Sequence, residues 1–268
     1  MEGVQVLDSA TRLGPAARGA VAVCGSHGGV YPAWLAARAG LRAVVLNDAG
    51  IGRNSAGVAG LAWLDALGIP ACAVDYRSAR IGDGADTLEH GVVSIPNEAA
   101  VRLGCRTGQP CREAARALAA GAPQPGPEEV PDLGETRSQI ASSGHRAVWA
   151  LDSMALARAE DARAVLVTGS HGALLGGRPD TMLSVDAFAA IFNDAGGGKD
   201  DAGYTRLAAL DARAVAAATV SCNTARIGDG RSTYETGVLS RVNATAQRLD
   251  LREGMSCREA VARLVGLA

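Results

Sequence analysis

Short apolar runs alternate with stretches of helical spacing along this chain. Residues 20–24, 42–46 and 70–74 are continuous apolar runs of strand length, and Val4–Leu7 predicts one more strand. Short buried strands that alternate with helices are typical of a parallel sheet covered on both faces, so the pattern predicts an α/β fold. In the first half of the chain, the helical patterns cover residues 31–39, 55–67, 86–90, 97–103 and 111–118.

The polar strings between these runs occur twice. From Arg42 onward, nearly half of the aligned positions in the two halves are identical, which is far above chance. We therefore expect a tandem duplication of a parallel-sheet α/β unit, giving two halves related by a pseudo-twofold axis. The repeated strings are GSHG (25–28 and 169–172), NDAG (47–50 and 193–196), ARIGDG (79–84 and 225–230) and CREA (111–114 and 257–260).

Proline and glycine are concentrated between the two copies. Prolines at positions 123, 125, 127 and 131 come with little periodic apolar pattern, which is typical of a linker. We predict a first α/β repeat over residues 1–122, a linker over 123–144 and a second repeat over 145–268. A loop packed over one of the two domains is the alternative.

Composition and charge exclude several classes of partner. The 268 residues carry a net charge of −2, which gives no electrostatic attraction to nucleic acid or to an acidic membrane surface. Aromatic residues make up only 3%, which argues against base-stacking platforms. There is no apolar run of about 18 residues and no basic-then-apolar leader. We expect a cytoplasmic protein with six reduced cysteines, without nucleic-acid or membrane partners, and with homo-oligomerisation left open.

The repeated polar strings follow the predicted strands. Because the carboxyl ends of parallel strands meet at one edge of a sheet, side chains after successive strands are expected to converge on a ligand. The candidate residues are Ser26, His27, Asn47, Asp48, Arg80 and Asp83 in the first half, and Ser170, His171, Asn193, Asp194, Arg226 and Asp229 in the second.

Histidine and aspartate are the candidates for catalysis. We expect His27 and His171 to transfer protons, because imidazole titrates near neutral pH. Asp48 and Asp194 would act as bases or orient the imidazoles. The structural alternative is that each imidazole forms a hydrogen bond that holds its own loop.

The serine and asparagine pairs are candidates for substrate binding. The glycine turns around Ser26 and Ser170, followed by a predicted helix, would bind an anion through free N–H groups. A helix-capping serine is the alternative. Asn47 and Asn193 would donate hydrogen bonds to an oxyanion, or would stabilise their own turn.

The arginine of the longest shared string is a candidate carboxylate clamp. Arg80 and Arg226 would hold a substrate carboxylate through two parallel hydrogen bonds. Asp83 and Asp229 would contribute to the same binding site, or would pair with these arginines. Hard metal ligands occur in the strings, but no H-x-x-x-H or C-x-x-C spacing accompanies them, so we predict neither a metal nor a cofactor.

The two copies are not equivalent, and one difference resembles a known signature. Cys222-Asn223-Thr224-Ala225 is similar to the CNTA signature of cofactor-independent aspartate/glutamate racemases. The resemblance covers four residues, and Tyr76 stands opposite Cys222 in the first half.

These observations lead to three functional hypotheses. The first is a metabolic enzyme that acts on a small carboxylate or amide, with C–N bond hydrolysis by acid–base chemistry as the preferred reaction. The second is a cofactor-independent isomerase, racemase or lyase. The third is a non-catalytic, bilobed protein that binds a small anion.

Overall fold

The computed structural model describes residues 3–121, 129–143 and 146–266, and its chain forms a mixed α/β fold with two mostly parallel sheets. Part of the predicted linker, including Pro123, Pro125 and Pro127, lies outside the described residues, as does Gly144.

The first sheet has five strands in sequential order, β1-β2-β3-β4-β5. The first four strands are mutually parallel, and β5 is antiparallel to β4. The strand-length apolar runs are confirmed as β2, β3 and β4, and the extra first strand is confirmed as β1. The bounds are β1 Val4–Leu7, β2 Val21–His27, β3 Ala43–Asn47, β4 Ala71–Val74 and β5 Val93–Pro96.

The second sheet repeats this order and adds one strand at its edge. Its order is β11-β10-β9-β8-β7-β6, with antiparallel pairs at both ends. The bounds are β6 Arg137–Ser143, β7 Arg146–Leu151, β8 Val165–His171, β9 Ala189–Asn193, β10 Ala216–Val220 and β11 Leu239–Val242.

Helices cover both faces of each sheet. Successive residues of β2 alternate between two apolar clusters, with Val21 and Val23 on one face and Ala22 and Cys24 on the other. This explains why the strands are apolar throughout rather than alternating with polar residues. The helices are α1 Val30–Arg38, α2 Ala59–Ala66, α3 Gly84–His90, α4 Glu98–Arg102, α5 Cys111–Ala120, α6 Thr205–Asp211, α7 Gly230–Thr236, α8 Ala244–Arg248 and α9 Cys257–Gly266.

The antiparallel edge strands correct the expectation of a purely parallel sheet. The Asp75 N–H donates to the Val92 carbonyl over 2.9 Å, so the chain leaves β4 and enters β5 at the same end. The same bond joins Ser221 to Val238 in the second half. A parallel return needs a crossover that traverses the sheet, and the loop and short α3 between β4 and β5 do not make one.

A strand also forms where composition predicts a linker. Residues 137–143 make up β6, which pairs with β7 and extends the second sheet. Trp34 of α1 donates to the Pro131 carbonyl over 2.9 Å, so the segment before β6 packs against the first half. A paired strand and a packed segment therefore lie within the range predicted as a linker, while the domain bounds stay a prediction.

The halves differ most after their glycine turns. In the first half, β2 leads directly into α1, as predicted. In the second half, β8 is followed by two short 3₁₀ turns, Leu175–Gly177 and Pro179–Thr181, and by no α-helix within residues 165–193. Gly176 and Gly177 adopt positive φ angles of 57° and 67°, and Pro179 has no N–H to donate, so this segment does not continue a helix.

The halves pack through their glycine-rich loops. The Arg53 N–H donates to the Cys222 carbonyl (2.8 Å), and the Lys199 N–H donates to the Tyr76 carbonyl (2.9 Å). Gly50 approaches Gly196 so closely that a Cβ on Gly50 would lie 3.2 Å from the Gly196 Cα. A small apolar cluster with members from both halves lies at this interface, formed by Ala49, Ile81, Ala173, Ala195, Ala202 and Ile227.

Candidate functional site

The ends of β2 and β8 meet at a central cavity between the halves. His27 and Ser26 line it from the first half, and His171 and Ser170 line it from the second. Its volume is about 70 Å³. The two copies of the GSHG string therefore face one shared site.

Larger cavities open on either side of the central one and share lining residues with it. The cavity on the His27 side has a volume of about 410 Å³, and Glu135 and Tyr31 line both it and the central cavity. The cavity on the His171 side has a volume of about 320 Å³, and Ser170 is common to it and the central cavity. Each is large enough for part of a small metabolite.

Both imidazoles are held in the same way. The Gly29 N–H donates to His27 Nδ1 over 3.1 Å, and the Ala173 N–H donates to His171 Nδ1 over 3.3 Å. Because Nδ1 accepts in both rings, each neutral imidazole carries its proton on Nε2. Each ring therefore offers an Nε2–H donor. The bonds to Nδ1 also hold each imidazole to its own loop, as the structural alternative predicts.

Burial keeps both imidazoles neutral. It lowers the pKa of His27 to about 4. Burial also lowers the pKa of His171 well below its ordinary value, and the nearby Arg206 and His27 lower it further. At neutral pH these groups are hydrogen-bond donors to an oxygen atom rather than bases acting through Nε2.

Each imidazole packs against the glycine loop of the opposite half. A Cβ on Gly228 would lie 3.4 Å from His27 Cε1, and a Cβ on Gly82 would lie 3.3 Å from His171 Cε1. Both glycines have φ near +80°, a conformation that favours glycine. The ARIGDG strings therefore form walls against the imidazoles.

The N–H groups of the glycine turns are already used within the protein. Gly28 donates to the Asn47 carbonyl (2.7 Å), while Gly29 donates to the His27 ring. Gly172 donates to the Asn193 carbonyl over 2.9 Å in the same way. These three N–H groups are therefore not available to an anion in the cleft, which leaves side chains as the donors in these turns.

Ser26 and Ser170 combine a structural role with a position in the cleft. Ser26 Oγ accepts from the Ala10 N–H, and Ser170 Oγ accepts from the Met154 N–H, each over 2.9 Å. The hydroxyl protons have no acceptor among the residues that the structure describes, so both serines can donate to a bound molecule.

Asp48 and Asp194 lie at the interface but do not pair with the imidazoles. Asp48 Oδ1 accepts from the N–H groups of Gly50 and Tyr76, at 3.1 and 3.0 Å. Asp194 Oδ1 accepts from the equivalent groups of Gly196 and Cys222, at 2.9 and 2.8 Å. These carboxylates fix the NDAG turns through these N–H groups, and the described residues contain neither of the expected Asp–His pairs.

Asn47 and Asn193 are fully buried and bonded to backbone. Asn47 Nδ2 donates to the Ala79 carbonyl (3.1 Å), and its Oδ1 accepts from the Ala49 N–H (2.9 Å). Asn193 forms the matching bonds with Ala225 and Ala195. Both amides thus connect strand ends to the ARIGDG loops, which is the turn-stabilising alternative.

Arg80 belongs to an ion-pair network at the interface. Its guanidinium contacts the buried Asp86 carboxylate (2.8 Å) and Asp200 of the second half (2.9 Å). Lys199 Nζ reaches the same Asp86 carboxylate over 2.8 Å. Asp83 lies 3.6 Å from Arg80 Nε and caps α3 through the Asp86 N–H. Arg80 is therefore neutralised within the protein and does not line the three cavities described above.

Arg226 is less constrained than Arg80. Within the described residues, its guanidinium bonds only the Asp229 carboxylate, with Nη2 at 2.6 Å and Nε at 3.1 Å. Ser232 stands where the first half has Asp86. Arg226 and Asp229 line the cavity on the His27 side, so among the predicted arginines only Arg226 lies at the cleft.

Glu135 is a site residue that sequence reasoning missed. It lies before β6, within the predicted linker, and lines the central and His27-side cavities. Burial raises its pKa to about 7, while the neighbouring hydroxyl groups of Tyr31 and Ser153 act in the opposite direction. A carboxyl group that titrates near neutral pH is suited to general acid–base catalysis.

Arg206 was also missed. It lies on α6, is 5% exposed, and lines the His171-side cavity. Its sequence counterpart in the first half is Gly60, so no repeated string drew attention to it. Burial lowers its pKa to about 10, so the guanidinium stays charged at neutral pH.

Cys222, which carries the resemblance to the racemase signature, is buried at the interface. Burial raises its pKa to about 12, and the adjacent Asp194 adds to the effect. At neutral pH the side chain is a thiol rather than the thiolate that proton abstraction requires. Its Sγ would lie 3.3 Å from a Cβ on Gly50, which places it in the packed contact between the two halves.

Within residues 3–121, 129–143 and 146–266, no three histidine, cysteine or acidic side chains come together in a way that could hold a metal ion. No helix in these same ranges is both long and apolar enough to cross a lipid bilayer.

Comparison of the chain with protein-family models, with curated proteins and with solved structures finds no match.

Proposed function

We propose that the shared cleft is the active site of an enzyme acting on a small carboxylate or amide, with hydrolysis of a C–N bond as its reaction. The observation that carries the proposal is that two Nε2–H donors, His27 and His171, line one cavity together with a carboxyl group, Glu135. Amide hydrolysis requires hydrogen-bond donors to the carbonyl oxygen. It also requires an acid–base group, and a carboxyl group of near-neutral pKa is suited to this role.

The roles of the histidines and acids differ from the sequence-based expectation. His27 and His171 donate hydrogen bonds to the carbonyl oxygen as it gains negative charge. The Glu135 carboxylate accepts a proton from the attacking water, whose oxygen bonds to the carbonyl carbon. When the C–N bond breaks, the Glu135 carboxylic acid returns that proton to the departing nitrogen. Asp48 and Asp194 maintain the loops that surround this site.

An NMR assay in ²H₂O distinguishes the three functional classes. The protein is incubated with a panel of N-acyl amino acids, N-carbamoyl amino acids and small amides. Release of an amine and an acid supports hydrolysis, whereas exchange of the α-proton without cleavage supports an isomerase or racemase. A substrate that stabilises the protein and is recovered unchanged supports the non-catalytic binder.

A double variant tests the role of the histidines in that assay. His27→Gln with His171→Gln is expected to lower turnover at least a hundredfold, because both donors to the developing oxyanion are lost. His90→Gln, which lies outside the cleft, is the matched control. Full activity of the folded double variant would reject the assignment.

We also propose that the two halves arose by tandem duplication and are related by a pseudo-twofold axis. Support comes from the repeated strings, the matching strand order, and the equivalent bonds from Arg53 to Cys222 and from Lys199 to Tyr76. In an experimental structure, superposing the halves should require a rotation near 180°. A markedly different rotation would contradict the proposed symmetry.

A further inference from the structure

The cavity on the His171 side contains a buried positive charge without a carboxylate partner. Arg206 is 5% exposed, and Nε donates to the Ala173 carbonyl (2.9 Å) while Nη1 donates to the Met182 carbonyl (3.1 Å). Neither acceptor is an anion. The Nη2 group has no hydrogen-bond partner among the described residues, and the side chain lines the cavity.

Such an arrangement is unfavourable unless something else compensates it. Removing a guanidinium from water is costly, and neutral carbonyl groups satisfy only some of its five N–H donors. The cation–π contact with Phe192, at 5.2 Å, provides weak compensation. Among the described residues that line this cavity, the only carboxylate is Asp180, which is ion-paired with Arg178 at 2.6 Å and largely exposed.

The rest of the lining is suited to an oxyanion. Ser170 contributes a hydroxyl group whose proton no described residue accepts, and His171 contributes a ring whose Nδ1 is occupied by a backbone donor. The Thr181 hydroxyl group is used within its own turn, where it donates to the Arg178 carbonyl and accepts from the Leu175 N–H. These groups surround about 320 Å³, which is enough for an anionic group and the atoms that join it to a reacting centre in the central cavity.

A difference between the halves creates this space. In the first half, α1 packs against Gly60, where a Cβ would lie 2.6 Å from the Ala33 Cβ. In the second half no α-helix follows β8, and Arg206 occupies the position equivalent to Gly60. The cavity therefore occurs where the second half lacks the counterpart of α1.

We propose that Arg206 and the Ser170 hydroxyl group bind the anionic group of the substrate, a carboxylate or a phosphate. This inference rests on the proposed function and extends it by naming the part of the substrate that the second half holds. The anionic group lies beside His171, so the rest of the molecule extends through the central cavity toward His27.

Arginine side-chain NMR tests this proposal without requiring the true substrate. Acetate and inorganic phosphate are titrated separately, with chloride as the ionic-strength control, while the Arg206 Nε–H resonance and the His171 ring resonances are followed. A saturable shift with acetate or with phosphate is expected, and the anion that binds more tightly identifies the group. Absence of saturable binding by both anions up to 50 mM, roughly the weak limit for a single ion contact, would overturn the proposal.

Substitutions of Arg206 test whether this residue binds the anion. Arg206→Gln should abolish the saturable shift of the His171 resonance, and Arg206→Lys should weaken binding at least tenfold, because the ammonium lacks the bidentate fork. Arg252→Gln, in an exposed ion pair outside the three cavities, is the matched control. Unchanged affinity in a folded Arg206→Lys or Arg206→Gln protein would contradict the assignment, and the wild-type titration remains decisive if neither folds.

The readout separates this inference from the proposed function. Anion binding is measured directly, while hydrolysis is measured by release of amine. If the wild-type protein binds the anion but releases no amine from any substrate tested, the reaction is refuted and the subsite is not. Catalysis that persists unchanged in Arg206→Lys would refute the subsite but not the reaction.

Discussion

The two ends of the cleft are built from equivalent segments but have different chemistry. At the His27 end, α1 follows the glycine turn, and Glu135 and Arg226 line the cavity together with apolar residues such as Val30 and Leu133. At the His171 end, 3₁₀ turns replace the helix and the buried Arg206 provides a positive charge. Under the proposed function, the matching histidines act at the centre of the site while each side recognises a different part of the substrate.

The largest expected effect concerns the acid–base group at the His27 end. Glu135→Gln should lower kcat/KM about a hundredfold or more, because the amide cannot exchange a proton with water or with the leaving group. In the wild type, kcat/KM should rise with pH as Glu135 deprotonates, with an apparent pKa about 7. The rise should be absent in the variant, and a variant that retains both rate and pH profile would exclude this role.

The second effect concerns the stability of the folded protein, which depends on pH through the buried imidazole of His27. Unfolded His27 takes up a proton near pH 6.5, whereas the folded protein does so only near pH 4. Lowering the pH through this window therefore favours the unfolded state, by about 3 kcal/mol between pH 7 and pH 4.

His27→Gln removes this contribution, so the variant should lose less stability than the wild type over the same range. Urea unfolding at several pH values measures the difference, with the exposed His90→Gln as control. Parallel stability curves for the wild type and His27→Gln would show that His27 is not buried in its neutral form.

The third effect concerns the helix that distinguishes the halves. Gly60→Ala should destabilise the protein by about 2 kcal/mol, because overpacking displaces neighbouring groups. The new Cβ would lie 2.4 Å from the Gly29 carbonyl oxygen and 2.6 Å from the Ala33 Cβ. Gly14→Ala is the control, since nothing lies within 4 Å of a Cβ there. Equal free energies of unfolding for the two variants would contradict the packing of α1 on α2.

The smallest effect concerns the charges on the ARIGDG loops. Asp86→Asn leaves Arg80 and Lys199 without their buried carboxylate, and should cost about 1.5 kcal/mol. Asp250→Asn, in an exposed pair with Arg252, should change stability by less than about 0.5 kcal/mol. If the two substitutions have the same effect in urea unfolding, Arg80 is not held by this network.

The local sequence pattern predicted the central strands and several helices, but it did not predict the antiparallel edge strands of the two sheets. The short apolar runs predicted β2, β3 and β4, and helical spacing identified α1, α4 and α5. The β5 and β11 strands are four residues long with partly exposed side chains, so their sequences do not differ from those of loops. Strand β6 depends on pairing with β7, which no local pattern reveals.

The site was predictable where the contacts are local and not where they are long-range. The repeated GSHG strings located His27 and His171 correctly at strand ends. Arg80 pairs with the nearby Asp86, but its other partner, Asp200, lies 120 positions further along the chain. Arg206 and Glu135 belong to no repeated string. Segments distant in sequence bury both side chains and shift their pKa values. The spacing of residues in the sequence does not predict this burial.

Nuclear Overhauser spectroscopy tests most directly whether the halves form one cleft. The structure predicts contacts from His27 Hε1 to the Gly228 α-protons, and from His171 Hε1 to the Gly82 α-protons, across the interface. Detection of both contacts in the full-length protein would confirm the shared arrangement. Contacts of each imidazole only with residues of its own half, at full assignment of both rings, would contradict it.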